Sequence, residues 1–199
     1  MKLTKIVLIL VTVFAIACNN QPKEDTQKEK AEQSIIEKDK YLELGNKIVA
    51  ETFQNLSTEL MNTVNQGGFE AAIDYCNVNA LPITAKLETT YGVKIKRVGT
   101  KVRNENNKAD EIEAEVINMF QSNIDNKKDT NPVVMKIGNN FHYFNYIRTQ
   151  AMCLNCHGTQ GETIQESVYK KILEKYPNDL ATGYKENDLR GVWHIIFNE

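Results

Sequence analysis

The chain has 199 residues, 41% of them hydrophobic and 25% charged, with a formal net charge of −2. That length suits one domain with appended segments, and the composition is ordinary for a globular protein. The near-neutral balance offers no basic field, so no nucleic-acid partner is expected.

The chain opens on a targeting pattern. Lys2 and Lys5 form a positive start, and Ile6 to Ala17 is an apolar run too short to span a bilayer. It ends in Ala15-Ile16-Ala17-Cys18, which resembles the lipobox of bacterial lipoproteins, with Ala15 where leucine is usual. This implies a signal peptide over 1–17 and a lipid anchor on Cys18. The plainer alternative is an ordinary signal peptide cut nearby. Either way the protein is expected to be exported, to a periplasmic or surface-facing membrane, where thiols are oxidised and haem c is attached.

Residues 18–40 are polar and read as a flexible tether. The domain is expected over 41–199. Leu42, Val49, Phe53, Leu56, Leu60 and Val64 recur at helical spacing until Gly67-Gly68. A second helix carries Phe69, Ala72, Ile73, Cys76 and Ala80 on one stripe, and Pro82 ends or kinks it. Val93–Val98 reads as a strand. Ala109–Asn126 reads as a helix with Ile112, Val116, Met119 and Phe120 inward. Pro132–Ile137 and Phe141–Arg148 read as strands about a Gly138-Asn139-Asn140 turn, Glu162–Tyr176 as a helix, and Gly191–Phe197 as a last strand. Helices first, then strands with helical insertions, give an α+β class built on an antiparallel sheet.

The chemistry centres on Cys153-Leu154-Asn155-Cys156-His157, the Cys-x-x-Cys-His pattern of c-type haem attachment. Two thiols at this spacing reach the two vinyl groups on one porphyrin edge, and the next residue sets its imidazole under the iron. One covalent haem c is expected. A Cys153–Cys156 redox disulfide is the first rival, but such motifs normally follow an early strand in a βαβ context, which is missing here. Zinc is the second, and it would need a second closely spaced ligand pair. With Cys18 assigned to lipid and two thiols to haem, Cys76 is left alone. It is either a small core residue or a thiolate on the iron opposite His157. Its rivals for that position are His142, His194, Met152, Met135, Met119 and Met61. The four arginines are Arg97, Arg103, Arg148 and Arg190. Arg97, Arg103 and Arg148 flank the expected pocket in sequence and suit the two haem carboxylates, or are ordinary surface residues.

The chain resembles the family of exported c-haem domains with a PAS-like fold, found alone or as sensory modules of histidine kinases. The likeness runs from about Tyr41 to the end. It rests on ordered pieces: Ala71 to Cys76, Ile83-Thr84-Ala85, Lys96-Arg97-Val98, Lys101 to Asn104, Asn107, Asp110, Glu113, Phe141-His142-Tyr143, the Cys153 to Gly158 motif, Tyr176 to Asp179, Ala181 to Tyr184, and Asp188 to Gly191. Glu105 and Tyr146 stand where the family usually has proline. The resemblance implies axial ligation by His157 and Cys76. It implies a redox or gas sensor module, with a diatomic gas as a possible ligand and a separate protein partner. An electron carrier of the cell envelope is the alternative, and a thioredoxin-like oxidoreductase a third. With both axial positions filled, a resting enzyme is not expected.

Overall fold

The structure, a computed structural model, describes residues 22–198, so the signal segment 1–17 and Cys18 lie outside the described residues. Contacts divide the chain into units at 1–36 and 37–199, and the second holds the sheet. The described helix α1 is Pro22–Tyr91, β1 Val93–Val98, α2 Glu111–Asp125, β2 Val133–Ile137, β3 Asn140–Arg148, α3 Leu154–His157, α4 Glu166–Lys175 and β4 Leu189–Phe197.

The polar stretch read as a tether is helical from Pro22 onward. It is rich in Lys, Glu and Gln, which lose little rotamer freedom in a helix. Gly68 leaves helical geometry at φ 76° and ψ −174°, a left-handed φ that favours glycine, and it divides α1 into two arms. The arms run side by side, because the Tyr75 hydroxyl donates to Glu59 and the Tyr91 hydroxyl to Glu51. Pro82 does not end the helix, which continues to Tyr91.

The four strands form one antiparallel sheet in the order β1-β4-β3-β2. Side chains alternate across it, so parity sorts them into two layers. Odd positions Val93, Ile95, Phe141, Tyr143, Trp193, Ile195 and Phe197 pack with Ile48, Val49 and Leu87 of α1. Even positions Phe144 and Val192 pack with Val116, Ile117 and Phe120 of α2. Gly45 lets α1 touch the sheet, since a Cβ there would lie 2.3 Å from the Tyr143 ring. A third cluster joins Ile73 of α1 to Ile164 and to Val168 and Ile172 of α4, with Cys156 at its edge.

In two helices the expected inward face holds at Val49, Val116 and Phe120 but not at every position. Phe53 is 51% exposed, and Ile48 and Thr52 take the inward positions of its arm. In α2, Ile112 and Met119 are exposed, while Glu113 is fully buried. The cause is the helix cap. Asp110 accepts from the Glu113 amide at 2.9 Å, and Glu113 accepts from the Asp110 amide at 2.9 Å, which fixes the carboxylate over the sheet. Glu113 there accepts from His194 Nδ1 at 2.7 Å and pairs with Lys96.

Burial alone would push the Glu113 carboxyl up. The hydrogen bonds from His194, Lys96 and the Asp110 amide, with the Lys96 charge, outweigh it and hold the group at about 2. A carboxyl depressed on folding contributes stability that is present above its ordinary pKa of 4.5 and lost as pH falls from there toward about 2. Glu113→Gln should therefore cost about 3 kcal/mol at neutral pH and flatten the acid limb of the stability curve, measured by urea unfolding between pH 2 and 7.

Candidate functional site

The Cys-x-x-Cys-His run folds as a 3-10 turn, Ala151–Cys153, followed by α3. Gly158 closes it. A Cβ at Gly158 would lie 1.9 Å from the Thr163 hydroxyl, so only glycine fits under the following turn. Among the described residues Cys76, Cys153 and Cys156 carry free thiols.

A loop from 179 to 184 clamps the motif. Ala181 accepts from His157 Nδ1 at 2.7 Å. The Tyr184 amide donates to the His157 carbonyl at 3.0 Å and the Gly183 amide to the Gly158 carbonyl at 2.7 Å. Asp179 holds the loop in shape. One carboxylate oxygen accepts the Ala181 amide at 2.9 Å, and the other accepts Arg103 at 3.0 Å. Arg103 also donates to the Cys156 carbonyl at 2.6 Å.

These contacts define the His157 tautomer. A carbonyl can only accept, so Nδ1 carries the proton and Nε2 keeps its lone pair. Burial, followed by the charges of Arg103, Arg190 and Arg97, drives the His157 pKa well below the ordinary histidine range; the Ala181 carbonyl opposes this and is outweighed. The imidazole is therefore neutral, in the form that ligates a metal.

Cys76 stands in the same field. Burial raises its thiol pKa, while the guanidiniums of Arg97 and Arg103 pull it down. Cys156 is pushed up to about 11, by burial first and then against Arg103 by the charges of Cys76, Cys153 and Glu70. Arg97 projects from β1, opposite Trp193 in register, with its guanidinium 5.5 Å from that ring. Thus Cys76, Cys156, His157, Arg97 and Arg103, singled out from sequence, are brought together. Cys153 lies in the same turn, its Sγ 3.4 Å from the Gln150 amide.

Arg148 is placed elsewhere. It donates to the Asn187 carbonyl at 2.9 Å and lies over Tyr146. The third guanidinium of the cluster is Arg190, which sequence reasoning passes over. It donates to the Lys101 carbonyl at 3.0 Å, lies over the Tyr184 ring and acts on His157 and Arg97. Strict alternation from Val192 and His194 would send Arg190 toward α2. Gly191, at φ 155°, and a register shift at Ile147/Arg148 interrupt that alternation. The Nε atoms of Arg103 and Arg190 are buried without a hydrogen-bond partner. Asp179 is hydrogen-bonded to Arg103 and its charge acts on Arg190, while Arg97 feels no such carboxylate among the described residues, so the cluster of three guanidiniums favours an anionic ligand.

The histidine rivals occupy the other face of the sheet. His142 Nδ1 lies 2.8 Å from His194 Nε2, and His194 Nδ1 is bound to Glu113. Met135 packs with the same α2-side cluster, Met119 is exposed on α2, and Met61 is half-buried on the first arm of α1. Met152 is half-buried beside Cys153.

Fold and site together define an α+β domain with a Cys-x-x-Cys-His motif set in an arginine cluster. The chain belongs to the Tll0287-like family, whose model spans residues 22–198. Its structure is similar to the crystal structure of the cyanobacterial haem protein Tll0287, at 25% identity and a TM-score of 0.56, over 79% of this chain and 95% of that one. No curated protein matches the chain.

Asp179→Ala would leave the buried Arg103 guanidinium unpaired and release the Ala181 loop from its turn. We expect a loss of about 2–4 kcal/mol in denaturant unfolding. Faster amide exchange should appear through 179–184, with Asp179→Asn retaining part of the turn contact.

Proposed function

We propose that the protein is an exported, lipid-anchored haem protein. One haem c is held covalently by Cys153 and Cys156, with His157 and Cys76 as axial ligands, and the domain acts as a redox or gas sensor module. The carrying observation is that a neutral His157, proton on Nδ1 and lone pair on Nε2, shares the Arg97 and Arg103 field with Cys76. The likeness to cyanobacterial Tll0287, itself a haem protein, supports the same reading.

The residues present fit the group. Three guanidiniums with two unpartnered buried Nε atoms suit the pair of carboxylates a haem carries. Bound haem supplies a one-electron ferric/ferrous couple and a site for diatomic gases. His157 is oriented by Ala181, a hydrogen bond of the kind that fixes a ligating imidazole and raises its basicity. A Cys76 thiolate, disfavoured by burial and helped by Arg97 and Arg103, would add negative charge that stabilises the ferric state and lowers the potential. Cys76 is also the ligand able to move, since its segment follows the backbone break at Gly68. We read the four-stranded antiparallel sheet as PAS-like, with the signal passing to a separate protein partner.

The redox-disulfide reading lacks its usual structural frame. Every described strand pair is antiparallel, so no βαβ unit frames the motif among the described residues.

Protein made in a cell with the haem c machinery should keep its haem in acidified organic solvent and weigh one haem more than the chain. Cys153→Ala with Cys156→Ala should abolish both, and freely extractable wild-type haem would refute covalent attachment. Cys76→Ser should keep the haem, lose the thiolate signature in electron paramagnetic resonance and raise the reduction potential. A spectrum unchanged from wild type would remove Cys76 as ligand. Ligands that persist in both oxidation states would favour the electron carrier over the sensor. Cys18→Ser should release the protein from membranes, because one substitution removes every acyl chain.

A further inference from the structure

The arm of α1 that carries Cys76 is fastened to α4 by charge. Asp74, two residues before Cys76, lies 3.1 Å from Lys171 through one oxygen and 3.1 Å from Lys175 through the other. One turn earlier, Glu70 accepts the Ser167 hydroxyl. Ile73, between these contacts, is 5% exposed and packs on Ile164, Val168 and Ile172, where Cys156 joins the edge. The non-helical Gly68 precedes this segment and Pro82 follows it. The Cys76 segment is thus a helical piece that begins just after a backbone break and carries Pro82 within it, seated by one apolar contact and rimmed by ionic ones.

The rim is open to solvent. Side-chain exposure is 46% for Asp74, 24% for Lys171 and 34% for Lys175, so salt screens these pairs. Glu174 of α4 stands 3.4 Å from Lys171 and 3.9 Å from Lys175. Both ammoniums therefore keep a carboxylate when Asp74 withdraws, which makes this clasp easy to open.

We propose that Lys171 and Lys175 are positioning residues for Cys76: their clasp on Asp74 sets how often the segment lifts from α4 and, through that, how readily Cys76 leaves the iron. The last step rests on the ligation proposed above; the lifting does not. Opening is then a property of ionic strength as well as of oxidation state.

The test uses full-length haem-loaded protein and two readouts. The first is hydrogen exchange in peptides covering 69–76, which is independent of the iron. The second is the association rate of carbon monoxide with dithionite-reduced protein. Lys171→Met with Lys175→Met should speed both by roughly threefold, the scale of two exposed ion pairs. Added salt should speed both in wild type and neither in that variant. Asp74→Lys combined with Lys171→Glu and Lys175→Glu should restore the slow rates, which a merely structural role of the lysines would not do. Exchange that is unchanged in the methionine variant and insensitive to salt would overturn the clasp. Faster exchange with unchanged carbon monoxide association would overturn its link to the iron. Failure of the ligation reading is seen separately, as a Cys76→Ser spectrum identical to wild type.

Discussion

The hydrogen bond from His157 Nδ1 to the Ala181 carbonyl is the contact on which the site depends. It sets the tautomer, and with it the atom left free to ligate. The bond exists because Asp179 folds the loop back on itself, accepting the Ala181 amide two residues on. The same carboxylate neutralises Arg103, which reaches the Cys156 carbonyl inside the motif. One buried acid thereby ties the loop, the motif and the chain after β1 into a single unit. Sequence separation is large, 76 residues between Arg103 and Asp179, so the tertiary fold must form before the imidazole is oriented.

Charge gives the unit its chemical character. Burial depresses the guanidinium pKa of Arg97 and of Arg190, a cost the protein carries without a full set of carboxylate partners. Such a cluster is stable only if an anion joins it or if the charges do other work. Here they join burial in keeping His157 neutral, and they offset part of the burial that raises the Cys76 thiol. The cluster that suits an anionic ligand is thus also the one that prepares the two candidate iron ligands.

Much of this is legible in the sequence. The pattern places all four strands within two residues of their observed ends, because β-branched and aromatic runs punctuated by Gly92 and Gly138 leave little choice; β4 starts two residues before the expected Gly191. The motif carries its own spacing. What is not legible is tertiary. Arg190 escapes notice because its direction depends on a register shift across two strands. Glu113 escapes because the helical periodicity of apolar residues is blind to a capping carboxylate that turns into the core. Spacing puts both Val49 and Phe53 inward, while the sheet takes Val49 together with Ile48 through the close approach at Gly45.

The two faces of the sheet carry two buried polar systems, and their difference tells which one calls for a ligand. On the α2 face, Lys96, Glu113, His194 and His142 form a chain in which Glu113 and both nitrogens of His194 are bonded within the protein. Such a chain is a structural network that commits Glu113 and His194, and it holds His142 through Nδ1. In the cluster around His157 the pattern is reversed. His157 offers a free Nε2, Cys76 a free thiol, and Arg103 and Arg190 each bury an unpartnered Nε. Buried polar groups in native proteins are satisfied, so a set of donors, a lone pair and a thiol left open together at one place is completed by something the polypeptide does not supply. That difference favours His157 and Cys76 over His194 as the proposed ligands, and the arginine cluster around them favours them over His142.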